Sequence, residues 1–98
     1  MSQALTANAA AHLERYIIGD RKRRIVRSLA SVYPKAITGR QLMIRAGLPL
    51  HSSPVTAFVE LCNSFTGINW DLPSHGWQAV RDGGTPDALY WLSPAGGG

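Results

Sequence analysis

The sequence predicts a small, mainly α domain that ends in a β-hairpin and carries one extra helix in front. Three observations lead there. Apolar residues recur at helical spacing in stretches that end by residue 67, and the period changes to two between residues 76 and 92. Capping residues, glycines and prolines stand between these stretches, where helices and turns begin and end. A chain of 98 residues holds one domain with a single modest core.

The first helix is expected over residues 3–18, where Leu5, Ala9, Leu13, Tyr16 and Ile17 line one face. Gly19 offers a stop and Asp20 a cap for the next helix. Residues 1–19 are therefore expected as a separate segment, followed by a main domain over 20–93 and a disordered glycine-rich tail over 94–98. An apolar stripe on such a segment is buried either by packing across the domain or by pairing with the same segment of a second chain. A homodimer through residues 3–18 is the expectation that follows from the second route.

A second helix is expected over 21–33, with Ile25, Val26, Leu29, Ala30 and Tyr33 inward and Arg24, Arg27, Ser28 and Ser31 opposite. Pro34 ends it, because the residue before proline avoids the helical region. Ala36-Ile37 is a candidate short strand. Thr38 with Gln41 reads as a capping box, so the next helix starts at 39 and turns Leu42, Met43 and Ala46 inward, with Gly47 at its left-handed end. After a turn over Leu48 to His51, Ser53 as cap and Pro54 at the first helical position open the last helix. Val55, Phe58, Val59, Cys62 and Phe65 are expected to be its buried side, with Phe58 central, and Gly67 is expected to terminate it. Residues 68–75 then read as an irregular linker. Trp77 to Arg81 and Ala88 to Leu92 alternate around Asp82-Gly83-Gly84-Thr85-Pro86-Asp87, a hairpin signal.

Net charge is +4 and unevenly spread. Residues 1–50 hold nine basic side chains against Glu14 and Asp20, a balance of +7, whereas residues 51–98 hold Arg81 against four acids, a balance of −3. A basic half suits a polyanion, since neutralised phosphates release counterions; it also suits a solvated helix face. No apolar run reaches the roughly 18 residues of a membrane span and no apolar signal-peptide core opens the chain, so a cytoplasmic protein is expected. One cysteine, Cys62, permits no internal disulfide. His12, His51 and His75 are scattered, no Cys/His spacing suggests zinc, and Gly83-Gly84 precedes no helix. No enzyme activity, cofactor or metal is expected.

Taken in order, the pieces over residues 20–93 resemble the winged helix-turn-helix superfamily in its small bacterial or phage form. The resemblance implies that the helix over about 53–65 is a recognition helix for the major groove and that the hairpin is a wing beside it. Its outward face would be Thr56, Ala57, Glu60, Asn63 and Ser64, preceded by His51, Ser52 and Ser53. Base reading then falls to Ser53, Thr56, Glu60 and Asn63, with Asn63 suited to adenine, Thr56 to a thymine methyl and Glu60 to cytosine. Residues 51–66 contain no lysine or arginine. Phosphate contacts therefore fall to Arg40 and Arg45, with Arg21, Lys22, Arg23, Arg24, Arg27 and Arg81 as further sources, and to backbone N–H groups at the helix starts near 39 and 53.

Two functions remain open from sequence. The first is sequence-specific binding of double-stranded DNA by a small transcriptional regulator. The alternative is a winged-helix module that binds another protein through its neutral helix face or through an exposed Trp77, Tyr90 or Trp91.

Overall fold

The helix that starts at Pro54 is longer than its glycine suggests, and the rest of the domain is arranged around it. The computed structural model describes residue 10 and residues 12–94. Its helices are α1 (Asp20–Val32), α2 (Gly39–Arg45) and α3 (Pro54–Asp71), and its strands are β1 (Ile37–Thr38), β2 (Trp77–Arg81) and β3 (Leu89–Pro94). Single 3-10 turns occupy Leu13–Tyr16 and Leu72–His75. The three strands form one antiparallel sheet in the order β1-β3-β2. Ile37 lies opposite Tyr90, Ala79 opposite Leu92 and Arg81 opposite Tyr90. Among the described residues the domain is thus mixed, with three α-helices and a three-stranded sheet rather than a hairpin alone. Among the described residues, no helix is long and apolar enough to cross a membrane.

Helix boundaries follow the sequence signals in some places and depart from them in others. Thr38 caps α2, its Oγ1 accepting the Gln41 N–H at 3.2 Å, and Gly47 takes the left-handed conformation past the end of α2 with φ of 74°. Asp20 does not cap α1; it sits in the first helical turn, favourable to the helix dipole, and pairs with Arg24. Ser53 makes no side-chain cap bond to α3, although Pro54 does stand at the start of that helix. Gly67 does not end α3. A Cβ at that position would lie 3.1 Å from the Lys22 side chain, so the glycine lets the lysine stem pass close to the helix.

Running α3 on to Asp71 changes which side it buries. Ala57, Leu61, Ser64, Phe65 and Ile68 face the core, and Leu72 continues the stripe into the 3-10 turn. Val55 and Val59, expected inside, are 78% and 49% exposed, while Phe58 and Cys62 are only partly buried. The physical reason is area. The stripe through Leu61, Ile68 and Leu72 buries more apolar surface than one that stops before Gly67. Ile25, Leu29 and Leu42 are buried as expected, and Ser28, expected outside, is buried as well.

The sheet closes the other side of the core. Trp77, Ala79, Tyr90 and Leu92 point inward, and Phe65 meets the Tyr90 ring edge-on at 5.2 Å. Tyr33 does the same to Trp77 at 5.2 Å. Pro94 pairs with Trp77, so β3 reaches one residue into the stretch read as tail; residues 95–98 lie outside the described residues.

The helix expected over residues 3–18 is not continuous in its described part. Residues 3–9 and 11 lie outside the described residues; from 13 onward the chain makes one 3-10 turn and then extends at Ile17. Ala10, Leu13 and Ile17 are buried in the core of their own chain. Tyr16 stacks on His75, with ring centroids 3.9 Å apart. Those three apolar side chains therefore need no second chain to cover them, which removes the reason for a dimer at Leu13 and Ile17; Leu5 and Ala9 lie outside the described residues.

The rotation of α3 is tested by paired truncations. Leu61→Ala should cost about 2–5 kcal/mol in urea unfolding, whereas Val59→Ala should stay within about 0.5 kcal/mol. A larger loss for Val59→Ala than for Leu61→Ala would mean that the helix buries the opposite side.

Candidate functional site

α3 presents one face to solvent along its whole length. At 100° per residue, Val55, Thr56, Val59, Asn63, Thr66 and Trp70 fall within an arc of about 100°, and each is exposed. The face is neutral, with methyl groups, two threonine hydroxyls and one carboxamide. Trp70, at its C-terminal end, is 81% exposed. Of the expected base readers, Thr56 and Asn63 lie on this face, and Ser53 is exposed just before it. Glu60 is turned to one side, half-buried and 3.4 Å from Arg21. Ala57 and Ser64, expected outward, are buried.

Cations border this face on both sides. On one side the first turn of α1 packs against the middle of α3. Arg21 Nε donates to Ser64 Oγ at 2.9 Å, and the Lys22 stem runs along Gly67. These residues enclose a cleft of about 310 Å³ that also reaches Asn63. The other side is a groove of about 660 Å³ between α3 and β2. There the Arg81 guanidinium lies 6.0 Å from the Phe65 ring centroid and 3.4 Å from Cys62 Sγ. Burial pushes the Tyr90 phenol above its ordinary range, against the opposing effect of Arg81. The Tyr90 hydroxyl makes no well-formed hydrogen bond, yet it and Cys62 still raise the pKa of Arg81. Arg81 has no carboxylate partner among the described residues, and neither does Lys22.

Asn69 fixes the distance between that groove's two walls. Its Nδ2 donates to the Ala79 carbonyl at 2.9 Å and its Oδ1 accepts the Ala79 N–H at 2.8 Å. β2 is an edge strand, and the carboxamide occupies the outward-facing backbone pair that a further strand would use.

The remaining expected phosphate contacts are placed elsewhere. Arg40 donates to Asp87 at 2.8 Å, which ties α2 to the hairpin loop. The Gly39 and Arg40 N–H groups donate to the Ala88 and Pro86 carbonyls at 3.0 and 2.9 Å. The start of α2 is thus taken by the protein's own chain, which corrects the expectation that it offers N–H groups to phosphate. Arg45 is exposed in the last turn of α2, without a carboxylate partner among the described residues. Arg23, Arg24 and Arg27 do not join Arg21 and Lys22. Arg24 pairs with Asp20, Arg27 with Glu14, and Arg23 Nε donates to the Ile17 carbonyl at 2.7 Å. The loop acids also have structural partners: Asp82 Oδ1 accepts the Leu89 N–H at 2.8 Å, and Asp87 holds Arg40.

No family model, curated protein or solved structure matches this chain.

Sequence reasoning missed Val59 and Trp70 on the open face, the packing of Lys22 and the Asn69 clasp. The first two had a signal. Extending the window past Gly67 reveals apolar or small residues at 57, 61, 64, 65, 68 and 72, which turns the valines outward. The clasp had none, because a side chain that bonds to a strand ten residues later leaves no local pattern.

Removing the clasp has a local readout. Asn69→Ala should lower stability by about 1–3 kcal/mol, since it leaves a part-buried N–H and C=O unpaired. Amide hydrogen exchange at Ala79 should then rise more than at Leu92 across the sheet. Equal protection at both amides before and after the change would rule the clasp out as a support of the edge.

Proposed function

We propose that this chain is a winged helix-turn-helix protein that binds duplex DNA sequence-specifically as a small transcriptional regulator. The observation that carries the reading is the arrangement around α3: one open, neutral face with cations along both borders. A major groove about 12 Å wide admits one helix and leaves a phosphate backbone on either side of it. Arg21 and Lys22 suit one backbone, and Arg81 the other. Thr56, Asn63 and Thr66 suit base edges, and the methyl groups of Val55 and Val59 suit thymine methyls. The order α1-β1-α2-α3 followed by the β2–β3 hairpin, with β1 paired to β3, supports the winged layout. In this reading Glu60 orients Arg21 rather than reading cytosine, and Arg40 holds the hairpin loop rather than a phosphate.

One observation favours a second reading, docking of another protein on the same face. Val55, Val59 and Trp70 expose large apolar groups there, and exposed tryptophan is a common anchor of protein interfaces. Trp77 and Tyr90 contribute nothing to that reading, because both are buried.

Salt titrations with selected and random duplexes separate the two. Lys22→Ala and Arg81→Ala should each weaken binding to every sequence and flatten the salt slope by about one unit. Asn63→Ala should cost about 1–3 kcal/mol on the preferred site alone. Arg40→Ala should leave the slope unchanged, because the Arg40 guanidinium is held by Asp87. Unaltered affinity and slope in both Lys22→Ala and Arg81→Ala would move protein docking into first place.

A further inference from the structure

Three arginines converge on a cleft away from α3. Arg15, Arg23 and Arg27, together with His12 and Glu14, line a hollow of about 420 Å³ between the N-terminal segment and α1. Arg23 and Arg27 are rotated by about 160° and about 120° around α1 from Arg21, the residue that meets α3, so this cleft is separate from the borders of the open face. Glu14 is its one carboxylate. Every aspartate and glutamate of the sequence lies among the described residues, and no other lines the cleft. Three permanent positive charges therefore face a single negative one.

Among the described residues, the way these arginines are held leaves their binding ends free. Arg23 is tethered through Nε to the Ile17 carbonyl at 2.7 Å. Arg27 is tethered through Nε to Glu14. Among the described residues, the terminal amino groups of both make no hydrogen bond. Among the described residues Arg15 makes one long contact, 3.4 Å from Nη2 to His12 Nδ1. A guanidinium fixed at Nε has lost part of the side-chain freedom that an ion pair normally costs, and its outer edge keeps the donor geometry that fits an oxyanion. Like charges gathered in one hollow repel, and an anion between them reverses the sign of that interaction.

We propose that this cleft binds a phosphoryl oxyanion at a site independent of the α3 face. The phosphoryl group comes either from a free phosphorylated molecule or from a nucleic-acid backbone, and both present the same tetrahedral oxygens to the arginines. The site does not depend on the reading of α3: Asn63→Ala should leave it intact.

The test follows the arginine Nε–Hε resonances of the full chain during titration with pyrophosphate, and in a second arm with a short random duplex. Joint, saturable shifts of Arg15, Arg23 and Arg27 in either arm support the site, and the arm that produces them identifies the source. Arg15→Gln and Arg27→Gln should each weaken the responding ligand by about tenfold, the value of one charge-assisted hydrogen bond. Glu14→Gln should tighten it, because the carboxylate lining the cleft loses its charge while the carboxamide oxygen can still accept from Arg27 Nε; a merely structural role for Glu14 would not produce that gain. The proposal is overturned if neither arm gives saturable shifts at these three residues. It is equally overturned if Glu14→Gln weakens binding or leaves it unchanged while the amide spectrum shows a folded chain.

Discussion

The angle at which α3 meets the sheet decides what the molecule can offer to a partner, and Asn69 sets that angle. Its carboxamide bonds both backbone groups of Ala79 on the edge strand, so α3 cannot roll without losing two hydrogen bonds in a part-buried place. On the opposite side, Arg21 reaches the hydroxyl of Ser64, a residue only 3% exposed. Between these two polar fixings lies the apolar stripe through Leu61, Phe65 and Ile68. Burial supplies most of the attraction and is non-directional; the polar contacts choose one rotation. The solvent face of α3 is the remainder of that choice.

A second constraint holds the hairpin loop down. Gly39 starts α2 where a Cβ would come within 2.9 Å of the Pro86 carbonyl oxygen and of the Tyr90 ring. Only glycine allows this approach, and through it the α2 N–H groups of residues 39 and 40 find acceptors in the loop. The Arg40–Asp87 pair lies over the same contact, but it is exposed and adds little by itself. The loop is shaped by backbone bonds. Its acids, which by composition oppose a polyanion, are partly neutralised by local partners, and this softens the repulsion that a count of charges implies.

Much of this was legible in the residues, and the failures share a cause. Thr38 with Gln41, Gly47, Pro34 and the Asp82–Asp87 turn marked boundaries correctly because each acts through its immediate neighbours. Asp20 and Ser53 carry the same residue types without forming the cap bond, since in both cases the tertiary surroundings choose the geometry. Gly67 was misread because a glycine inside a helix is costly in isolation. Here it admits the Lys22 stem, a contact 45 positions away in sequence (67 − 22). That single misreading shortened α3, removed Ile68 and Leu72 from its stripe and turned the predicted face by roughly a quarter turn. Thr56 and Asn63 survived the error because they lie where the expected and the observed open arcs overlap; Val59 changed sides.

The charge distribution of the basic half also resolves into separate groups once the chain is folded. The run Arg21-Lys22-Arg23-Arg24 reads as one patch, but successive residues on a helix point 100° apart, so a contiguous run is divided among faces. Arg21 and Lys22 lie on α3. Arg24 turns back to Asp20. Arg23 joins Arg27 against the N-terminal segment, where Ile17 and Glu14 hold their Nε atoms. Such division has an energetic logic, since four cations in the first turn of α1 oppose the positive end of its dipole. Spreading them among a neighbouring helix, an acid and a carbonyl lowers their mutual repulsion. It also means that total charge is a poor guide to where an anion is held. The relevant quantity is the number of guanidinium edges left free in one place, and by that measure the two sides of α1 are distinct surfaces.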